Sequence, residues 1–196
     1  MNIAIVKYNA GNIQSVLYAL ERLGVEAEVT DDAQKLQAAE KVIFPGVGEA
    51  GSAMQSLQQT NLDVVIKNLK QPVLGICVGM QLLCAHSEEG DTPCLNIVPV
   101  AVKKFEKTSG LKVPQVGWNA IYNLDSPLFS NIAENSYIYN VHSYFAEDSA
   151  YTIARCNYGA PYAAAIKKDN FYGVQFHTEK SAAIGDHILK NFLDLV

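Results

Sequence analysis

Pro72-Val73-Leu74-Gly75-Ile76-Cys77-Val78-Gly79-Met80-Gln81-Leu82-Leu83 decides how the chain folds. A short apolar run enters a Gly-x-Cys-x-Gly turn and leaves with helical character, which predicts a buried strand, a sharp elbow and a helix. Glycine suits both flanking positions, because side chains there would strike the strand or the helix that meet at the elbow. The turn then displays one thiol at a helix N-terminus, where unpaired N–H groups and the helix dipole favour the thiolate. Cys77 is the candidate nucleophile. Free cysteine is also among the most buried residue types and commonly serves as a small hydrophobe, so this reading requires a base elsewhere in the chain.

On the N-terminal side, Ile3–Val6 predicts a buried strand, ended by the turn residues Asn9-Ala10-Gly11-Asn12. Ile13, Val16, Leu17, Leu20 and Leu23 fall on one helical face before Gly24, and Val25–Thr30 alternates as a second strand. Strand, helix and strand within thirty residues make a parallel βαβ unit. Lys41–Phe44 predicts a third strand, which runs into Pro45-Gly46-Val47-Gly48-Glu49 before helical stretches near Ala50–Gln59 and Leu62–Leu69. Two glycines after a buried strand let the backbone approach a ligand, and the N–H groups around Val47 and Gly48 can point at a developing oxyanion. An ordinary strand-to-helix turn explains that loop equally well by itself. It gains weight because Cys77 ends the next strand, and open α/β sheets bind ligands outside the carboxyl ends of their strands.

Beyond the helix at Met80–Ala85 the character changes. Val98–Phe105, Val113–Tyr122, Tyr137–Phe145, Tyr151–Asn157, Tyr162–Lys168 and Phe171–Phe176 are short, rich in β-branched and aromatic residues, and separated by turn signals. They predict strands, several of them antiparallel, before a final helix over Ala182–Leu195. The expected architecture is α/β, an open mostly parallel sheet flanked by helices with added antiparallel strands, and no linker or repeat divides residues 1–196 into more than one domain.

Composition excludes more than it assigns. A hydrophobic share of 49% and a charged share of 18% suit a soluble globular domain, and a net charge of −5 argues against generic nucleic-acid binding. Met1–Lys7 lacks the pattern of a secretory signal and no run approaches ~18 apolar residues, so the expectation is a cytoplasmic protein that does not cross a membrane. Cys84, Cys94 and Cys156 show no Cys-x-x-Cys spacing with Cys77 and read as buried structural residues. His86, His142, His177 and His187 form no metal-binding spacing, so neither a metal nor a cofactor is expected.

The base is found at the end of the last strand-like run, where Phe176 is followed by His177-Thr178-Glu179-Lys180-Ser181. Residues two apart at a strand end can share a side, so Glu179 can bond one imidazole nitrogen and leave the other to take the thiol proton. A lone histidine there would be structural more often than catalytic. A glycine-flanked cysteine, a Pro-Gly-x-Gly loop and a His-x-Glu pair, each at a predicted strand end, are hard to explain together as packing.

At these residues the chain resembles the class I, or triad, glutamine amidotransferases, which have a flavodoxin-like fold. Gly11-Asn12 with Ser15-Val16, Lys112-Val113-Pro114 with Gly117-Trp118-Asn119, and Tyr139 with Val141-His142-Ser143-Tyr144 extend the likeness over the whole length. These segments are similar to the glutaminase subunits of imidazole glycerol phosphate synthases within that family. The resemblance implies that Cys77 attacks the glutamine carboxamide, that His177 shuttles the proton, and that Glu179 orients His177. It implies an oxyanion hole from Val78 N–H and the Val47–Gly48 loop, and substrate contacts from Gln81, His142, Ser143 and Tyr144. It also implies a heterodimer with a cyclase subunit that receives the ammonia, with Asn12, Trp118, Tyr139 and Lys180 facing that partner. A related glutaminase serving another synthase, such as one amidating a surface sugar, is the alternative. Three departures stand out: Lys7-Tyr8-Asn9 where the family usually has Asp-Tyr-Gly, Thr178 where proline is usual, and Val78 in place of a common leucine.

Overall fold

The computed structural model describes residues 1–9, 12–107 and 110–196. In chain order the first half runs β1 (Ile3–Val6), α1 (Ile13–Arg22), β2 (Ala27–Thr30), α2 (Ala33–Ala38), β3 (Lys41–Gly46), α3 (Ala50–Gln59), α4 (Leu62–Lys67), β4 (Val73–Cys77) and α5 (Val78–Leu83). The second half adds β5 (His86–Ser87), β6 (Thr92–Pro93), β7 (Ala101–Lys104), β8 (Gln115–Ile121) and β9 (Ser136–His142). It continues with β10 (Tyr144–Ala146), β11 (Thr152–Tyr158), β12 (Ala160–Lys168), β13 (Phe171–Val174) and α6 (Ala182–Leu195). A 3-10 turn at Thr178–Lys180 joins the last strand to the last helix.

The main sheet has the order β2-β1-β3-β4-β13-β12-β10-β7-β5-β6, with β11 paired to β12. From β2 to β13 neighbouring strands are parallel, which is the 2-1-3-4-5 order of flavodoxin-like folds with β13 in fifth place. From β13 to β7 they are antiparallel, as the spacing of the later strands predicts. Every residue of β1, β3 and β4 is buried, because a parallel sheet flanked by helices is covered on both faces. α1 shows how its sequence sets its limits: the Asn12 side chain accepts the Ser15 N–H at 3.4 Å, Val16, Ala19 and Leu20 face the core, and Gly24 ends the helix at φ +72°. An Arg22–Asp186 ion pair at 2.7 Å fixes α1 beside α6.

The structure departs from the sequence reading at several elements, the short strands β5 and β6 among them. The run Tyr137–Phe145 is divided at Ser143: β9 pairs with β8 in a separate two-stranded ribbon, whereas β10 joins the main sheet. The chain turns there because the Ser143 carbonyl accepts the Phe105 N–H at 3.0 Å while Tyr144 pairs with Lys104 on β7. α2 has no counterpart in the sequence reading. It is one capped turn and a half, started by Asp32 Oδ1 on the Gln34 and Lys35 N–H groups and anchored by the single buried Leu36. Ala10 and Gly11, part of the first expected turn, lie outside the described residues.

Candidate active site

Three neighbouring parallel strands deliver the site. Gly46 ends β3 directly opposite Cys77, which ends β4, and Val174 on β13 pairs with Ile76, so the Gln175–His177 segment emerges on the other side of the cysteine. Cys77 has φ 55° and ψ −112°, a backbone state that costs a non-glycine residue about 1–3 kcal/mol and that surrounding packing must enforce. The packing is a seam without side chains: a Cβ on Gly79 would lie 1.9 Å from the Phe44 carbonyl oxygen, and one on Gly46 would lie 2.5 Å from the Gly79 nitrogen. β3 and α5 therefore touch backbone to backbone, and the elbow between β4 and α5 turns Cys77 towards a cleft of about 320 Å³.

His177 lies on the rim of that cleft, fixed from both ends of its backbone. Its N–H donates to the Tyr139 carbonyl at 3.0 Å, and its carbonyl accepts the Ser181 hydroxyl at 2.6 Å, while Ser181 Oγ in turn accepts the Tyr139 N–H at 2.9 Å. Nδ1–H donates to Glu179 Oε1 at 2.7 Å, which leaves Nε2 for Cys77. Burial opposes a charge on this imidazole, but Cys77 and the hydrogen-bonded Glu179 outweigh it and push His177 up to about 10. Such an imidazole holds its proton at neutral pH. The sequence reading placed His177 and Glu179 on one side of a strand end. The strand stops at Val174 instead, and the 3-10 turn brings the two side chains together.

The other expected residues divide by what they touch. Val47, Gly48 and Val78 line the cleft, Gly48 at φ +91°. Gln81 lines it too, but its amide N–H groups are taken, by the Tyr144 carbonyl at 2.9 Å and by Gln175 Oε1 at 3.0 Å, so it offers the cleft an acceptor. His142 reaches the cleft with its ring held on both sides. Nδ1–H donates to the Tyr144 carbonyl at 2.8 Å, Nε2 faces the Tyr162 hydroxyl at 3.3 Å, and the ring packs against Phe105 and Tyr162. Burial, with His177 adding to it against the opposing carbonyl bond, lowers His142 to about 4. His142 is thus a neutral brace under Tyr144. Ser143 and Tyr144 complete that wall.

Asn12 is engaged in capping α1, and Lys180 is exposed at the cleft mouth. Trp118 is 53% exposed and meets Tyr139 edge to face at 5.7 Å. Around them Val116, Tyr137 and Val141 are also exposed, on the one face of the β8–β9 ribbon that carries Trp118 and Tyr139. Cys84, Cys94 and Cys156 are buried, and burial pushes Cys94 up to about 11 and Cys156 up to about 12. No helix among the described residues is long and apolar enough to cross a membrane.

Residues 4–196 match the family of glutamine amidotransferases class-I. The chain belongs to that family. The imidazole glycerol phosphate synthase subunit HisH of Bacteroides thetaiotaomicron is 56% identical over the full length of both chains, and that of Bacteroides fragilis is 54% identical, also over both full lengths. The HisH subunit of Idiomarina loihiensis is 46% identical over all of this chain and 98% of its own. Among solved structures, one glutamine amidotransferase superposes with a TM-score of 0.75 at 15% identity, covering 98% of this chain and 97% of its own. Another, from Thermotoga maritima, gives 0.64 at 16% identity over 99% and 83%.

Two amidotransferase residues escaped the sequence reading. Glu89, in a 3-10 turn at Glu89–Asp91, is the one acid lining the cleft among the described residues. Its Oε2 accepts the Ala50 N–H at 2.8 Å, and burial raises its carboxyl above the usual range. In the sequence it reads as part of a solvated acidic run, Glu88-Glu89-Gly90-Asp91. Gln175 is fully buried beside Cys77, and only the register of β13 against β4 reveals it.

Proposed function

We propose that residues 1–196 act as one cytoplasmic glutaminase domain, the amidotransferase subunit of an imidazole glycerol phosphate synthase. The observation that carries the chemistry is His177 hydrogen-bonded to Glu179 and lining, with Cys77, the cleft that opens at the strand ends. The thiolate of Cys77 attacks the glutamine carboxamide carbon, and negative charge gathers on the amide oxygen. Val78 N–H and an N–H of the Val47–Gly48 loop receive that charge. His177 gives its proton to the leaving nitrogen, ammonia departs and a Cys77 thioester remains. His177 then takes a proton from water, the hydroxide attacks the thioester carbon, and glutamate leaves as the thiolate re-forms. Glu179 keeps Nδ1 protonated throughout, so that Nε2 does the transfers.

The cleft suits the free amino acid. Glu89 and the Gln81 carbonyl oxygen are acceptors for an α-ammonium, and Ser143 and Tyr144 form the wall against which the α-carboxylate is held. Two observations support a docked partner: the relatives are named as synthase subunits, and Val116, Trp118, Tyr137 and Val141 present an apolar face to water. We assign that face, with Tyr139, Lys180 and the Asn12 end of α1, to the cyclase subunit of a heterodimer. The cyclase takes up the ammonia and forms imidazole glycerol phosphate and the aminoimidazole carboxamide ribotide.

The test is glutamate release from glutamine by the purified chain, alone and with the histidine-pathway cyclase and its ribonucleotide substrate. Stimulation by the loaded cyclase is expected, with no release from a Cys77→Ala variant that still binds the cyclase. Turnover by that variant sinks the nucleophile assignment, and an intact complex without stimulation moves the chain to another synthase.

A further inference from the structure

In its sheet Cys77 has two lateral neighbours. Gly46 on β3 has no side chain; Gln175, one residue beyond the Val174–Ile76 pair, has an amide, fully buried and with its Nε2 3.9 Å from the Cys77 sulfur. Which end of that amide faces the sulfur follows from the chain of bonds behind it. The Tyr144 carbonyl can only accept, so the Gln81 atom 2.9 Å from it is the amide nitrogen. The same nitrogen lies 3.0 Å from Gln175, so the Gln175 atom it meets is the oxygen. Turning Gln175 over would set two buried amide nitrogens face to face. A backbone carbonyl thereby orients two glutamines in series, and the second aims an N–H at the nucleophile. At 3.9 Å the contact is long for a neutral thiol; an anionic sulfur accepts such a donor far more strongly.

We propose that Gln175 is a positioning residue of the glutaminase reaction, donating an N–H to the Cys77 sulfur whenever it is a thiolate, before attack and again as it leaves the thioester. The proposal rests on the reading of Cys77 as nucleophile. It assigns to Gln81 a second duty besides lining the cleft, since Gln81 sets the direction in which Gln175 points. Other groups that bias the same sulfur are His177 and, through it, Glu179 after β13, Tyr8 after β1, and the Val141 carbonyl at 4.0 Å, while His142 on β9, Glu89 and Lys180 line the same cleft. All of them are common to the wild type and to Gln175 variants, so a comparison isolates the amide.

The experiment is the pH dependence of Cys77 alkylation by iodoacetamide in the full chain, followed by mass spectrometry of the Cys77 peptide, which needs neither glutamine nor a partner. Gln175→Met removes the donor at similar length and is expected to move the alkylation midpoint up by about one pH unit, the scale of one lost hydrogen bond to a charged group. Gln175→Glu keeps the shape, replaces the donor with a carboxyl and is expected to move it further. In the complex with cyclase, Gln175→Met is expected to lower kcat about tenfold, with KM for glutamine within about twofold, because the sulfur and not the substrate loses a partner. A folded variant whose alkylation midpoint stays with the wild type overturns the proposal, even if its turnover is reduced. Should Gln175→Met fail to fold, the isosteric Gln175→Glu decides by the same criterion, and failure of both to fold assigns the residue to packing and overturns it too. A wild-type Cys77 that titrates like an ordinary thiol, near 8.5, instead defeats the nucleophile reading itself.

Discussion

Acidification from pH 7 to pH 5 destabilises the fold through His142, before most carboxylates begin to titrate. The folded imidazole is lowered to about 4 from an ordinary 6.5, so between those values the unfolded chain binds a proton that the folded chain refuses. Stability contributed by the neutral ring is complete above about 6.5 and is lost as the pH falls towards 4. At 1.36 kcal/mol per unit, the whole gap amounts to about 3 kcal/mol, of which about 2 kcal/mol is lost between pH 7 and pH 5. His177 lies close by and stays protonated in the folded state across that window, so the comparison must hold it constant. Urea unfolding of the wild type and His142→Gln at pH 7, 6 and 5 does this. The wild type's advantage over the variant, whatever its size at pH 7, is expected to shrink by about 2 kcal/mol at pH 5. Two stability curves that run parallel to within about 0.5 kcal/mol would show that the ring is not held neutral by its burial.

Thr178→Pro is expected to stabilise the protein by about 1 kcal/mol or more with glutaminase activity retained, read as a higher urea midpoint. Thr178 opens a 3-10 turn after a residue in extended conformation, its N–H donates to no group among the described residues, and its buried hydroxyl has no partner there. Gly79→Ala is expected to cost about 3 kcal/mol or more and to abolish glutamate release, since the new methyl forces α5 away from Phe44 and carries Cys77 with it. Urea unfolding and the glutamate assay on the same preparation check both effects.

β1, β3 and β4 were legible because each is a short apolar run and each is followed by turn residues in the next few positions. The elbow was legible for a stronger reason: a cysteine between two glycines at a strand end has few other uses. Less legible were features whose cause lies far along the chain. Gln175 reads as a polar residue in an apolar strand until β13 is laid beside β4, a pairing between residues almost a hundred positions apart. Glu89 reads as one of a cluster of surface acids until the turn after β5 is folded against the start of α3. No sequence pattern could show that the His142 ring is held between the Tyr144 carbonyl and the Tyr162 hydroxyl. The break at Ser143 was hidden because β9 and β10 both carry aromatic residues, and their pairing partners are not visible in the sequence.

The seam around the nucleophile limits how such a chain can evolve. At Gly46 and Gly79 every codon change that alters the residue adds at least a methyl group, and no smaller residue exists to which a lineage could retreat. A neighbour cannot be trimmed in compensation, since the atoms a methyl would strike include the carbonyl of Phe44 and the amide nitrogen of Gly79, which every amino acid carries. Descendants are free to vary the side chains that line the cleft, and with them what the cleft accepts. The backbone path that carries the cysteine must be inherited whole.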